Sequence, residues 1–184
     1  VCRTKGLETF AVGHDEAPAE AVDQLLQERV MIILDLDNCI SNDAWRIPRI
    51  SWNHQNPTRR YHDYHMLAAF DEPGNVELFK GRSDILIFTA RPVMIRAMTE
   101  EWLKRVGVDY EVLIMRNDND HLPSVDLKMK QLHYLPVYGI DAGKIEHAFD
   151  DRPEVVEMYK RCGIPATVRA IHNVCAYTRP GDKK

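Results

Sequence analysis

The chain has 184 residues, 45% of them hydrophobic and 28% charged, with a formal net charge of −4 at pH 7. This length suits one domain with a good core, and the composition is that of an ordinary globular protein. The small negative charge excludes a global attraction to nucleic acid or anionic membrane, so such contacts need a local basic patch; no apolar run reaches membrane-spanning length, and the N-terminus shows no signal-peptide pattern.

Residues 1–15 lack a clear period and are expected to be loose. Residues 16–29 suit a helix, with Pro18 in its first turn and Ala19, Val22, Leu25 and Leu26 as an apolar stripe. The run from Val30 to Leu34 reads as a strand buried on both faces, ending at Asp35. Residues 41–74 form a polar, aromatic and histidine-rich insertion without a clean period. Residues 75–80 allow a short helix and 84–89 a second strand. Pro92 fits the first turn of a helix reaching about Val106, with Gly107 as its C-cap. A third strand is predicted over 111–115, a loop over 116–125, and a helix from near Asp126 that ends before Pro136. Residues 144–149 make another strand, Pro153 opens a helix that Gly163 ends, and 166–171 return as a strand. Strands alternating with helices predict an α/β fold with a mostly parallel sheet and right-handed crossovers. No repeat, linker or second boundary is visible, so 1–184 is expected to be a single domain with 41–74 inserted as a flap.

Four short segments carry the chemistry. Residues 30–39 end an apolar run in Asp35 and Asp37. Ligands of open α/β sheets bind beyond the carboxyl ends of strands. Two carboxylates there repel each other unless a cation or a shared proton intervenes. Residues 84–91 end in Thr89 and Arg91, Asp126-Leu-Lys-Met-Lys130 sets lysines at a helix start, and 145–152 end in the pair Asp150 and Asp151. Taken singly, each has an ordinary reading: an acidic turn, a threonine cap, a solvated lysine, acids favoured at a helix N-terminus. The cysteines (Cys2, Cys39, Cys162, Cys175) show no Cys-x-x-Cys pairing or metal spacing, so reduced thiols in a cytoplasmic protein are expected. Six residues and no glycine-rich turn separate Cys39 from Arg46, which argues against a cysteine nucleophile; Cys39 reads as a small residue packed behind the acids.

The order acid pair, hydroxyl, lysine, acid pair resembles the motif order of the haloacid dehalogenase (HAD) superfamily of phosphotransferases. Residues 150–164 are similar to the corresponding run in the phosphatase domain of bacteriophage polynucleotide kinase/3′-phosphatase. Arg46 lies eleven residues after Asp35, where that domain carries an active-site arginine. Arg91 matches the arginine after its second motif, and Asp126 with Lys130 matches its Asp-x-x-x-Lys element. The motifs span residues 30 to 164.

The resemblance implies a HAD-like Rossmannoid three-layer sandwich with a small cap, and a Mg²⁺-dependent phosphomonoesterase. It implies Asp35 as nucleophile of an aspartyl-phosphate and Asp37 as general acid/base, a role that asks for a pKa raised toward neutrality. Thr89 would donate to a phosphoryl oxygen. Lys130 would offset the charge on nucleophile and phosphate, with Lys128 the alternative if the helix register differs. Arg46, Arg91 and Asp126 fall on the substrate side; a guanidinium clamps two phosphate oxygens at once. The Mg²⁺ would take side-chain oxygens of Asp35 and Asp150 and the backbone carbonyl of Asp37, while Asp151 serves as a ligand through water or fixes Lys130. The chain departs from the pattern at Asn38, where glycine is common, and at Cys39, where threonine is usual.

The insertion mixes Trp45, Trp52, Tyr61 and Tyr64 with His54, His62, His65, Arg49, Arg59 and Arg60. Aromatics beside cations suit nucleobases stacked next to phosphates; a flap packed on itself is the bland alternative. The expected partner is therefore a phosphorylated nucleotide or a nucleic-acid end, with no membrane. No Gly-x-x-x-x-Gly-Lys-Ser/Thr loop is present, so a kinase half would be a separate or missing domain. A small-molecule phosphatase, or a non-catalytic phosphate- or nucleic-acid-binding module, are the competing readings. Natural substrate and oligomeric state stay open.

Overall fold

The structure, a computed structural model, describes residues 30–172; the expected loose stretch over 1–15 and the expected helix over 16–29 lie outside them. The described residues begin with β1 (Met31–Leu34), and short strands β2 (Ser41–Asn42) and β3 (Glu72–Pro73) bracket an insertion holding α1 (Pro57–Arg60) and α2 (His62–Met66). It continues through β4 (Ile85–Pro92), α3 (Arg96–Val106), β5 (Val112–Arg116), α4 (Ser124–His133), β6 (Ile145–Asp150), α5 (Pro153–Arg161) and β7 (Ala166–Val168).

All four residues of β1 are buried. The strand pairs in parallel with β4 on one side and β6 on the other; β5 and β7 extend the sheet to the order β5-β4-β1-β6-β7. Side chains alternate across the pleat, so an all-apolar strand feeds two cores at once. On one face Ile32, Leu34, Ile85 and Ile87 pack with Trp102, Leu103 and Val106 of α3. On the other Ile33, Leu86 and Phe88 pack with Leu132 of α4 and with Val155 and Tyr159 of α5. The chain winds outward from β1 to β5, then crosses to β6 on the other side of β1. That reversal opens a crevice beyond the carboxyl ends of β1, β4 and β6.

Most boundaries fall within a few residues of expectation. Gly107 takes a left-handed φ of +74° and caps α3 as the sequence predicts. The expected helix over 75–80 is a single 3₁₀ turn, Val76–Leu78. The last strand stops at Val168, because Ile171 turns back to donate its N–H to the Asn38 carbonyl at 2.7 Å. α4 begins at Ser124, ahead of the expected Asp126, and its buried residues are Leu127, Lys128, Gln131 and Leu132. In the insertion much of the aromatic content packs on itself: Tyr61 lies edge-on to Trp52 and Tyr64 at 6.2 and 6.4 Å, and Tyr64 to His65 at 5.1 Å. Among the described residues no helix is long and apolar enough to cross a membrane.

Ile33 is fully buried in the central strand. Ile33→Ala is expected to cost about 2–5 kcal/mol of stability, the usual range for deleting a buried aliphatic side chain. A urea titration would show this as a lower midpoint at unchanged slope.

Candidate active site

The loop after β1 sets the geometry. The Asp35 N–H still bonds to the Phe149 carbonyl at 3.0 Å, so Asp35 is held as a continuation of the sheet. The chain then curls tightly: the Leu36 carbonyl accepts from the N–H groups of Cys39, Ile40 and Ser41 at 3.1, 3.0 and 2.9 Å. Asn38 closes the turn at a left-handed φ of +61°. Outside glycine, asparagine is among the residues that tolerate this region best. Asp35 and Asp37 thereby enter two different clusters.

The first cluster joins Asp35 to Asp150 and Asp151 at the end of β6. All three are buried, and one oxygen of each lies within 4.8 Å of the others. Lys128 Nζ, also buried, sits 2.5 Å from Asp35 Oδ1 and 3.1 Å from Asp150 Oδ2, and donates to the Phe88 carbonyl. Asn38 Nδ2 donates to Asp151 Oδ2 at 2.9 Å, and the Arg152 N–H to Asp150 Oδ1 at 3.1 Å. Among the described residues Asp150 Oδ2 receives no well-formed hydrogen bond, the nearby ammonium notwithstanding. Three carboxylates against one ammonium would leave two negative charges in a desolvated space if all three ionised. Burial pushes the Asp35 pKa up to about 7, against the pull of Lys128 and with a further push from Asp150. Burial, with Asp35 and Asp150, pushes Asp151 up to about 8. Burial works against the charge on Lys128, but Asp150 and Asp35 override it and hold its pKa well above the ordinary lysine value. The donor set is hard oxygen, carries the right surplus charge and includes an orphaned buried oxygen. It fits a divalent cation.

The second cluster surrounds Asp37. Its Oδ1 accepts from Arg46 Nη2 at 2.6 Å and from Arg91 Nε at 2.8 Å. Behind it Asp71 accepts from Arg46 Nε and Nη2, each at 2.8 Å, from Arg91 Nη2 at 3.1 Å, from Ser41 Oγ at 2.5 Å and from Trp45 Nε1 at 3.0 Å. Trp102 Nε1 anchors the Asp71 carbonyl at 2.8 Å. Here two carboxylates meet two guanidiniums, and the charge closes. Burial works against ionisation of Asp37, but Arg46 and Arg91 outweigh it and hold its carboxyl well below the usual range. Arg91 Nη1 is buried with no hydrogen-bond partner among the described residues. His65 is kept neutral: burial, with Arg46, Arg91 and Arg116 and against Asp37, brings its pKa down to about 3.

The structure thus gathers Asp35, Asp37, Arg46, Arg91, Asp150 and Asp151 at one end of the sheet. Thr89 is buried there too, its Oγ1 accepting from the Arg91 N–H at 3.1 Å. Lys130 and Asp126 are not brought in. Lys130 is 42% exposed and paired with Asp120 at 2.7 Å, beside a cavity of about 800 Å³ that none of the clustered acids lines; Asp126 is exposed on α4. The correction is one of helix register: the inward face of α4 carries Lys128 and Gln131, so Lys130 points away. The Asp-x-x-x-Lys spacing then falls on Ser124 and Lys128, so its first position is not acidic here; Ser124 Oγ accepts from Arg152 Nη1 at 2.9 Å. A second correction concerns Asp37: the raised pKa expected of it is found on Asp35 and Asp151 instead. Asp151 has Asn38, not Lys130, as its partner. Sequence reasoning missed Asp71 altogether, since nothing in Phe70-Asp71-Glu72-Pro73 marks that acid as buried. Cys39 is fully buried and its thiol is pushed up by burial and by the neighbouring Asp35, which leaves it inert as a nucleophile.

The family model of the polynucleotide kinase PNKP phosphatase domain matches residues 29–170. No curated protein sequence gives a significant match. Among solved structures, a chain of the Pnkp1/Rnl/Hen1 RNA repair complex superposes with a TM-score of 0.55 at 21% identity, covering 89% of this chain and 47% of that one. A chain of a second Pnkp1/Rnl/Hen1 complex gives 0.54 at 23% identity, covering 75% and 45%. A haloacid dehalogenase-like hydrolase from Streptococcus pneumoniae gives 0.52 at 8% identity, covering 82% and 90%. At these identities the likeness is one of fold. The present chain spans about half the length of the two chains it matches in the repair complexes.

Asp71→Asn would leave two buried guanidiniums facing one carboxylate, and is expected to cost about 3–5 kcal/mol in denaturant unfolding; Lys130→Ala should stay within about 0.5 kcal/mol. The acid cluster also predicts a pH dependence. Between the ordinary carboxylate range and their folded values of about 7 and 8, Asp35 and Asp151 keep protons that the unfolded chain has released. Their contribution to stability is therefore full in acid and is lost as pH rises through about 7 and 8. In chelator, the melting temperature should fall over that interval. Added Mg²⁺ should restore it, more strongly at the alkaline end, and Asp35→Asn should flatten the profile.

Proposed function

The chain belongs to the polynucleotide kinase PNKP phosphatase-domain family, and on that premise we propose that it removes phosphate from a nucleic-acid 3′ end or a nucleotide monophosphate, with Asp35 as covalent nucleophile. The observation that carries the reading is the convergence of three buried acids, Asp35, Asp150 and Asp151, on the single ammonium of Lys128, directly beside the Asp37–arginine cluster.

In this reading an Asp35 carboxylate oxygen attacks phosphorus while the bond to the ester oxygen breaks, giving an aspartyl-phosphate and an alcohol. Asp37 gives its proton to the departing oxygen. It then takes one from the water that attacks the aspartyl-phosphate, which frees inorganic phosphate and restores Asp35. Asp37 is ion-paired with Arg46 and Arg91 at rest, so it needs the substrate to make it an acid. A phosphate that engages Arg91, whose Nη1 is uncommitted, weakens that hold and lets the Asp37 pKa rise. Arg46, fully buried between Asp37 and Asp71, orients Asp37 more than it clamps substrate. Thr89 donates a hydrogen bond to a phosphoryl oxygen, and Lys128 pulls Asp35 toward its ionised form. A Mg²⁺ ion held by Asp35, Asp150 and Asp151, with the Asp37 carbonyl, would screen the charge that nucleophile and phosphate bring together. The substrate class rests on the family and on the short insertion, which leaves Trp45 exposed at 45% near Asp71.

Hydrolysis of an aryl phosphate with Mg²⁺ tests the reaction. Asp35→Asn should abolish turnover, and wild-type turnover in that variant would remove Asp35 as nucleophile. Asp37→Asn should cost about 10²–10⁴-fold, the usual worth of a general acid/base. Lys128→Met should be nearly inactive and Lys130→Met close to wild type; the reverse order would restore the Lys130 assignment. A panel of 3′-phosphorylated oligonucleotides, nucleoside monophosphates and sugar phosphates tests the substrate, and preference for sugar phosphates would sink the nucleic-acid reading.

A further inference from the structure

We infer that Asn38 is a positioning residue that holds Asp151 in the acid cluster by tying it to the chain segment 169–172. The inference rests on the divalent-ion site of the proposed function and concerns how this chain orients one of its ligands.

The turn itself does not require the asparagine side chain. At φ +61° glycine would serve without strain. The amide is nonetheless completely buried, a costly placement unless it is hydrogen-bonded. Both N–H groups and the oxygen have partners. Nδ2 donates to Asp151 Oδ2 at 2.9 Å and to the His172 carbonyl at 3.1 Å, while Oδ1 accepts the His172 N–H at 2.9 Å. The partners lie 113 and 134 residues away in sequence, so the contacts are no by-product of the turn.

The direction of the amide follows from these bonds. The His172 N–H needs an acceptor and the His172 carbonyl a donor, and only one orientation of the amide meets both. That orientation aims N–H at Asp151; the flipped one would set an oxygen against the carboxylate. Segment 169–172 is fixed independently, by the Arg169 N–H on the Asp150 carbonyl at 2.8 Å and the Ile171 N–H on the Asn38 carbonyl at 2.7 Å. The Ile171 side chain lies so close over Gly74 that a Cβ there would meet its Cδ1 at 2.6 Å. Asp150 already has Lys128 and the Arg152 N–H to orient it. Among the described residues, the hydrogen bond on the Asp151 carboxylate is the one from Asn38.

Asn38→Gly separates the two functions of the position, keeping the backbone and deleting the amide. In calorimetric titration with Mg²⁺ or Mn²⁺ and no substrate, the variant should bind about 10–100-fold more weakly, the usual cost of losing a group that orients a metal ligand. Its ion-free melting temperature should fall modestly, because Asp151 and the His172 main chain lose their amide partner, while the unfolding transition stays cooperative. Amide exchange at His172 should speed up, while Ile171, bonded to the main chain, stays protected. In an Asp151→Asn background Asn38→Gly should add no further loss, whereas a generally loosened fold would give additive losses and overturn the inference. Should Asn38→Gly fold poorly, His172→Pro removes the N–H that aims the amide and should also weaken ion binding; wild-type affinity there would overturn the link to segment 169–172. Equal affinity in wild type and Asn38→Gly overturns the inference alone. A wild type that binds no divalent ion overturns it together with the metal-site reading.

Discussion

Three buried carboxylates share one ammonium at the carboxyl end of the central strands, and this imbalance governs the site. Desolvated like charges a few ångströms apart are tolerated only by protonation or by a cation. The fold cannot relieve the strain by moving apart, because Asp35 is bonded into the sheet and Asp150 ends the neighbouring strand. The same rigidity that makes the cluster unfavourable alone makes it preorganised for a divalent ion.

Two residues further on, the electrostatics reverse. Asp37 stands in a closed network with Arg46, Arg91 and Asp71, where each charge has a counter-charge. The contrast separates two carboxylates of almost identical sequence context. One is reluctant to ionise and the other reluctant to take a proton. A site that handles a nucleophile and an acid/base in turn needs such a separation, with substrate as the agent that shifts the second. Asp71 underlies it: this buried acid lets two guanidiniums sit out of water beside Asp37.

Much of this was legible in the sequence, for physical reasons. Strands buried on both faces must be continuous apolar runs, so 31–34 and 85–88 stand out, and acids or hydroxyls directly after them mark the crevice. Gly107 and Pro153 punctuate helices through backbone constraints that are local. Lys128 against Lys130 was not settled in this way. The difference depends on where α4 begins, and a start at Ser124 rather than near Asp126 accompanies an inward face that holds Lys128. Asp71 and the amide of Asn38 were invisible because their partners are remote in the chain, and burial of a polar group is decided by those partners.

The sequence by itself determined the alternation of the main-sheet strands with α3, α4 and α5, the acids after β1 and at the end of β6, and the family, because these follow from local periodicity and motif spacing. Which lysine faces the acids, which carboxylate is hard to ionise, and which amide steadies Asp151 were decided only in three dimensions. Helix register, desolvation and long-range hydrogen bonds depend on what is packed opposite, and no window of sequence contains that.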